Sequence, residues 1–245
     1  MGDDMRTFGV VLALLTAAAP SAIILAHADP AAHGESAPAP RADAHAHTPA
    51  PTKMHQTFDI IRKDDKIGAN VVDIDRTADS TTVKNKTDIS VKLMYVEVYR
   101  YQHNCSETWK NGQLAAFKSQ TDDNGTKHVV EIAPSTTPDK VTLIVDGKKS
   151  EEPKSIAPAS LWSKDLVTRT ELFDPADGKR ISVKVKDLGE ETLTIQGVKH
   201  QTHHYQLSAK PPGDFDRDLW FEGDELVRMK MLGSDHSLIV SDLAK

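Results

Sequence analysis

The residues best able to do chemistry lie close together in the middle of the chain, at His103, Cys105 and Glu107. Residues two apart on a β-strand point to the same face, so a histidine, a thiol and a carboxylate would share one side. Such a set could bind a metal ion or act as a Cys-His pair. The plainer interpretation, which we favour, makes Cys105 a small buried residue and His103 a surface or cap residue. It places Glu107 in a structural ion pair with Arg100 or Lys110.

No common catalytic signature supports an enzyme. The chain lacks Gly-x-Ser-x-Gly, His-Glu-x-x-His and a phosphate-binding glycine-rich loop. Ser160 is followed three residues later by Ser163, so the Ser-x-x-Lys nucleophile pattern is also missing. The sequence therefore favours a non-enzymatic protein without a cofactor. A hydrolase or isomerase that uses His103 and Glu107 is the alternative.

A second group of histidines, at His200, His203 and His204, has the wrong spacing for a metal site. If the segment is a strand, His203 points away from the other two. Four residues of strand separate His200 from His204, about 13 Å, which is too far for both to bind one metal ion directly. We predict no metal site here.

The aromatic residues cluster with turn residues and acidic residues. Residues 99–125 contain Tyr99-x-Tyr101 and Glu107-x-Trp109, and they read as three consecutive strands joined by tight turns. The tryptophans are either core anchors or the walls of an apolar groove. We predict that a ligand, if one binds, contacts Tyr99, Tyr101, Glu107, Trp109, Trp162 and Trp220.

The elements that must position these residues show a period of two. Alternating apolar runs follow one another from Met54 to the C-terminus, and dipeptides that accept positive φ separate several of them. These dipeptides are Asn111-Gly112, Asn124-Gly125, Asp146-Gly147 and Asp177-Gly178. A sheet of so many strands curls or closes. We predict a mainly β fold, a strongly curved antiparallel sheet or incomplete barrel.

One segment breaks the alternation. Residues 153–168 include Pro158-Ala159-Ser160-Leu161-Trp162, which has the composition of a short helical turn. We predict a short helix or loop that packs Trp162 and Leu166 against the sheet. No flexible linker accompanies it, so we predict a single domain over residues 54–245.

The combination of motifs resembles a family of exported bacterial proteins of unknown function. The matching positions are Tyr99, Tyr101, Glu107, Trp109, Gly112, Leu114, Pro158, Ser160, Trp162, Asp218, Trp220, Gly233 and Ser234. The resemblance covers the chain from about Phe58 onward and implies a periplasmic β-rich domain with no established activity. A looser likeness to half-barrel carriers of lipoproteins is an analogy of fold alone.

The N-terminal region predicts export. Arg6 precedes an apolar run over residues 8–26, and Ala26-His27-Ala28 fits a cleavage site, so residues 1–28 read as a signal peptide. Translation starting at Met5 would remove two aspartates that such a peptide does not favour. After cleavage no membrane span would remain, and the protein would be periplasmic or secreted. Cys105 is the only cysteine, so no intramolecular disulfide can form.

Residues 29–53 read as a disordered linker rich in alanine, proline and histidine. His33, His45 and His47 of this tail could buffer a transition metal, which is a third function that the sequence leaves open. The net charge of -6 gives the chain as a whole no electrostatic attraction to nucleic acid or anionic lipid. The leading prediction is that the β domain binds an apolar small molecule or an envelope protein on its concave face.

The signal-peptide prediction can be tested directly. N-terminal sequencing of the protein isolated from its native cells should give a sequence that begins at or near Asp29. Recovery of residues 8–26 intact in a membrane fraction would show instead that the segment is a retained anchor.

Overall fold

The computed structural model describes residues 52–210, 215–233 and 235–245. The predicted signal peptide and residues 29–51 of the predicted linker lie outside this part of the chain. The described residues belong to one compact unit. Its elements are β1 (Thr52–Arg62), β2 (Asp65–Arg76), β3 (Ser80–Leu93), β4 (Val96–Lys110), β5 (Gln113–Asp123), β6 (Thr126–Pro134), β7 (Lys140–Val145), β8 (Lys148–Pro153), β9 (Ala157–Pro158), a 3₁₀ helix (Lys164–Thr168), β10 (Glu171–Phe173), β11 (Arg180–Ile195), β12 (Val198–Lys210), β13 (Arg217–Glu222), β14 (Glu225–Leu232) and β15 (Leu238–Leu243).

All the described strands belong to one open, curled sheet, which confirms the predicted mainly β fold. Its order is β8-β7-β6-β5-β4-β3-β2-β1-β15-β14-β13-β12-β11-β10-β9. Except for β8 and β9, strands that follow one another in the chain are neighbours in the sheet. β15 joins β1, with Phe58 opposite Leu243. Among the described strand pairs, only β9–β10 is parallel. The edge strands are therefore β8 and β9, and residues 154–156 alone connect them, so at that point the edges lie within about 15 Å.

The core shows that the sheet curls until its two halves meet. One half holds β1–β8 and the other holds β9–β15. One group of buried apolar residues surrounds the β1–β15 pairing and includes Phe58, Leu207 and Leu219. A second group lies against β4–β7 and includes Phe173 of β10. Phe173 packs edge to face on Phe117 of β5, with 5.0 Å between the ring centroids. Since β5 and β10 are far apart in the sheet order, only a strongly curved sheet can bring these rings together.

Polar contacts also cross between the halves. The Ser119 hydroxyl on β5 donates a hydrogen bond to the Pro175 carbonyl in the β10–β11 loop, at 2.6 Å. Arg180 on β11 pairs with Glu152 on the edge strand β8 at 3.4 Å, and with Glu171 on β10 at the same distance. The β10–β11 loop is thus packed against the inner face of the other half.

Three of the four dipeptides that were predicted to form hairpin turns do so. Asn111-Gly112, Asn124-Gly125 and Asp146-Gly147 form two-residue turns with positive φ at both positions. The prediction was wrong for Asp177-Gly178, which lies in the longer loop between β10 and β11. Two further hairpin turns, at Lys63-Asp64 and Met94-Tyr95, lack the Asn-Gly or Asp-Gly pattern and were not predicted.

The segment predicted as a short helix or loop, residues 153–168, contains a loop and then one 3₁₀ helix. Residues 158–162 are not helical, because Pro158 belongs to β9 and pairs with Phe173. The 3₁₀ helix spans Lys164–Thr168, where the Ser163 side chain caps it by accepting from the Asp165 amide at 3.2 Å. Leu166 is buried as predicted. β1 begins at Thr52, inside the predicted linker, because its first residues pair with the end of β2.

Gly178 tests how tightly the β10–β11 loop is packed. Its φ is +74°, and a Cβ atom there would lie 2.3 Å from a methyl of Val145 on β7. Gly178→Ala should lower the free energy of unfolding by about 2–4 kcal/mol, from backbone strain and overpacking together. Chemical denaturation measures this loss.

Gly125→Ala is the matched control, because its φ is +94° but nothing lies within 4 Å of the added Cβ. It should cost about 1 kcal/mol. Val145→Ala should partly rescue Gly178→Ala, giving a coupling of about 1 kcal/mol. Equal losses at the two glycines, with no coupling to Val145, would mean that the loop does not rest on β7.

Candidate functional site

The inner face of β4 carries most of the candidate residues. The strand is continuous from Val96 to Lys110, so the Tyr-x-Tyr and Glu-x-Trp motifs lie on one strand rather than two. His103, Cys105 and Glu107 share its inner face, as their spacing predicts, and all three are buried. The expectation of a surface or cap position for His103 was wrong, because its side chain is buried on the inner face, where the ring contacts the Thr121 hydroxyl of β5.

Glu107 is the centre of a buried hydrogen-bonded cluster. Its side chain is 1% exposed, and its Oε2 atom accepts a hydrogen bond from Trp109 Nε1 at 2.7 Å and from Trp162 Nε1 at 2.8 Å. The two indole rings meet edge to face at 6.1 Å. The predicted ion pair of Glu107 was wrong, since Arg100 pairs with Glu97 instead. The carboxylate joins β4 to the segment that follows β9.

Burial dominates the electrostatics of this carboxyl group. It raises the pKa of Glu107, whereas Ser160, Trp162 and Trp109 oppose the shift. Ser160 lies close enough to lower the pKa but forms no hydrogen bond of normal geometry. Oε1, the second carboxylate oxygen, is buried without a hydrogen-bond partner. A proton on that oxygen would remove the charge while Oε2 kept both indole donors.

His103 and Cys105 are buried groups with suppressed reactivity. His103 Nδ1 lies 2.9 Å from the Thr121 hydroxyl, and burial lowers the pKa of this histidine to about 4. Burial, assisted by the charge of Glu107, raises the pKa of the Cys105 thiol. His103 and Glu107 are four residues apart, about 13 Å along the strand, so they cannot exchange a proton directly. Within the described residues, no three histidine, cysteine or acidic side chains are close enough to hold a metal ion.

A cleft of about 500 Å³ opens beside this cluster, where the chain passes from one sheet edge to the other. Its walls come from the β4–β5 turn, the β6–β7 loop and residues 153–156. Arg169 lies over the Trp109 ring at 5.6 Å and donates a hydrogen bond to the Ser155 carbonyl at 2.9 Å. The lining residues are Trp109, Gly112, Gln113, Leu114, Asp139, Pro153, Lys154, Ser155, Ile156 and Arg169.

The structure brings together only part of the predicted binding set. Trp109 and Trp162 also line a second cleft of about 40 Å³, with Ser160 and Arg169. Tyr99 and Tyr101 line neither of the two clefts. Sequence reasoning missed the cationic residues of the larger cleft, Lys154 and Arg169, since nothing in their local sequence distinguishes them from surface cations.

Trp220 belongs to a separate cluster, with Ile195 and Val227. His204 stacks on its ring at 4.1 Å, and Lys230 lies over the same ring at 5.0 Å. Trp220 therefore does not contribute to the Glu107 cluster or to the cleft. The neighbouring histidines each bond to a carboxylate: His200 to Glu222, His203 to Asp187 and His204 to Asp218.

Comparisons with known proteins identify a family but no activity. A family model described as a domain of unknown function (DUF6134) matches residues 58–243. A solved structure, a β-barrel-like protein of domain of unknown function DUF1849 from Brucella abortus, is similar in fold, with a TM-score of 0.57. At 10% identity, the match covers 80% of this chain and 97% of that one. No curated protein matches the chain. Among the described residues, no helix is long and apolar enough to span a membrane.

The Glu107 cluster predicts a specific dependence of stability on pH. Because burial raises the pKa of Glu107, the folded chain keeps a proton that the unfolded chain loses above about pH 4.3. This group therefore destabilises the fold progressively as pH rises. In Glu107→Gln the amide oxygen can accept from both indoles and does not titrate. Urea denaturation should show the variant gaining stability relative to wild type between pH 4 and pH 7.

Glu107→Leu is the contrasting variant. It leaves two half-buried indole donors without their acceptor, at a cost of about 1 kcal/mol for each donor. This variant should be less stable than Glu107→Gln at both pH values. A stability difference between Glu107→Gln and wild type that stays constant from pH 4 to pH 7 would contradict the raised pKa.

Proposed function

The chain belongs to the DUF6134 family of domains of unknown function, and on that premise we propose that it is an exported, non-enzymatic β domain that binds a ligand at the mouth of its curled sheet. The mouth is the larger cleft, beside residues 153–156. The bound group combines an apolar or aromatic body with an acidic group, as a small molecule or as a segment of an envelope protein. The proposal depends on the cleft in which the Trp109 ring lies beside the Arg169 guanidinium.

The chemistry of the cleft supports this class of ligand. Trp109, Leu114 and Ile156 provide apolar surface, and an aromatic ring presents a large flat contact at a small cost in conformational entropy. Lys154 and Arg169 supply two cations against one anion, Asp139. Arginine suits a carboxylate, sulfonate or phosphate group because its planar fork can donate two hydrogen bonds at once.

The interior of the sheet is a less suitable place for a ligand. The sequence predicted binding on the concave face, but side chains of the protein itself fill that face, including Phe117 and Phe173. The β10–β11 loop occupies part of it as well. Binding at the mouth leaves this packing undisturbed, and Trp109 still forms one wall of the site.

The other two functions receive less support. Neither His103 nor Glu107 lines the larger cleft, so a hydrolase or isomerase would need a substrate to enter the packed interior. Metal buffering would depend on His33, His45 and His47, which lie outside the described residues. Export is supported by the apolar run at residues 8–26 and its cleavage pattern, and implies a periplasmic or secreted protein.

Anilinonaphthalene sulfonate tests the site, because it joins an aromatic body to a sulfonate. We expect saturable binding to the folded chain, observed as increased probe fluorescence. Arg169→Gln should weaken the binding by about three- to tenfold, through loss of a charge-assisted contact. Trp109→Phe should weaken probe binding more than Arg169→Gln does, because the phenyl ring cannot donate the hydrogen bond that holds the indole to Glu107.

Lys230→Gln is the matched control, since it also removes a cation that lies over a tryptophan ring, but at Trp220. It should leave probe affinity unchanged. Thermal melting of each variant establishes that the fold is intact. If Arg169→Gln and Lys230→Gln bind the probe equally well, the cleft is not the binding site.

A further inference from the structure

β3 and β4 extend beyond the rest of the sheet as a free two-stranded ribbon. The ladder between β2 and β3 ends at the pair Gly68 and Ile89, and the ladder between β4 and β5 ends at the pair Tyr101 and Asp123. Residues 90–99 therefore have ladder partners only within their own hairpin. At about 3.3 Å per residue, the turn of the hairpin lies roughly 15 Å beyond the last supported pair.

The end of this ribbon is apolar and exposed. Tyr95 is 100% exposed and Met94 85%, and the strands leading to them contribute more exposed apolar side chains. Large apolar residues on a protein surface are normally scattered singly, whereas these are consecutive or nearly so. The tip, as we call this set, consists of Leu93, Met94, Tyr95, Val96 and Val98.

The turn itself is not built for local stability. Met94 has a φ of +45° and Tyr95 a φ of +71°, which large side chains seldom adopt. Among the two-residue hairpin turns of the described residues, this is the one without asparagine, aspartate or glycine at either position. Asn-Gly would fit the same backbone with less strain. Folding alone therefore does not account for a methionine and a tyrosine here.

We propose that the tip inserts into the interfacial region of a lipid bilayer and attaches the domain to a membrane surface. A ribbon only two strands wide, with apolar side chains around its end, buries little area against a flat protein surface. A bilayer surrounds such a tip on every side. Inserting the turn and the Leu93–Val96 pair, down to the level of the Lys92–Glu97 pair, reaches about 7 Å, within the depth typical of interfacial segments. Val98 then lies at the boundary of the inserted part. The ladder of the hairpin satisfies most of its backbone groups, as the membrane interior requires.

The charges behind the tip match this orientation. Glu97 accepts a hydrogen bond from the Ser90 hydroxyl at 2.7 Å and pairs with Arg100 at 3.7 Å, so its charge is compensated within the ribbon. Lys92 then leaves one net positive charge at the level where lipid phosphates lie. Tyrosine is itself enriched at membrane interfaces, because its ring is apolar and its hydroxyl polar.

Vesicle flotation tests this proposal with the chain that starts at Asp29, which keeps every described strand and lacks the apolar run at residues 8–26. We expect it to float with vesicles of phosphatidylcholine and phosphatidylglycerol, and more weakly with phosphatidylcholine alone. Met94→Asn combined with Tyr95→Gly should reduce binding at least about tenfold, because it removes two large apolar groups. The same double variant should melt at an equal or higher temperature than wild type, because Asn-Gly suits the turn.

Leu188→Ser combined with Val198→Ser is the matched control, because it removes two other exposed apolar side chains from the β11–β12 hairpin. It should float like wild type. A wild-type chain that floats with neither vesicle overturns the proposal, as does a tip variant that floats unchanged. Self-association of the wild type without flotation, lost in the tip variant, would assign the tip to contacts between copies of the chain and would also overturn it.

Discussion

The structure depends on how the two edges of a single large sheet are held together. β8 and β9 cannot complete the barrel with a ladder, because β9 has two residues and β8 ends in a proline, which donates no backbone hydrogen bond. Side chains therefore make the closure. The Glu107 carboxylate binds the indole of Trp162 beyond β9, and Phe173 packs on Phe117. β8 is also rich in charged residues, which discourages pairing with another chain.

This means of closure carries an electrostatic cost that determines what the interior can do. A buried carboxylate with one oxygen unpartnered is unfavourable as an anion, which is why burial raises the pKa of Glu107. His103 and Cys105, on the same face, are held neutral by the same burial. The interior row of β4 thus resembles a catalytic set in residue type, but burial disfavours the charged form of each of its three groups. The accessible chemistry lies at the mouth, where Trp109 and Arg169 meet the solvent.

Local sequence patterns predicted the parts of the fold that depend on local physics. Alternation placed His103, Cys105 and Glu107 on one face. Asn-Gly and Asp-Gly located three hairpin turns, because asparagine, aspartate and glycine adopt positive φ at a lower cost than other residues. The pairing of β1 with β15 has no local signature. The acceptor role of Glu107 was missed for the same reason, since one of its donors, Trp162, lies 55 residues away. Arg169 joins the cleft only through long-range curvature of the sheet.

The Met94-Tyr95 turn could not be predicted from composition, because neither residue favours positive φ. A turn built from asparagine, aspartate or glycine adopts positive φ with little backbone strain, so its sequence is explained by folding alone. A turn that places large apolar side chains at positive φ, on a ribbon with no neighbouring strands, accepts strain and exposes apolar surface at the same time. Both costs fall in the same two residues, at the end of the sheet opposite the β4–β5 turn that lines the cleft. A domain that attached through its tip would therefore keep the cleft directed away from the attachment surface, where a ligand could still reach Trp109 and Arg169.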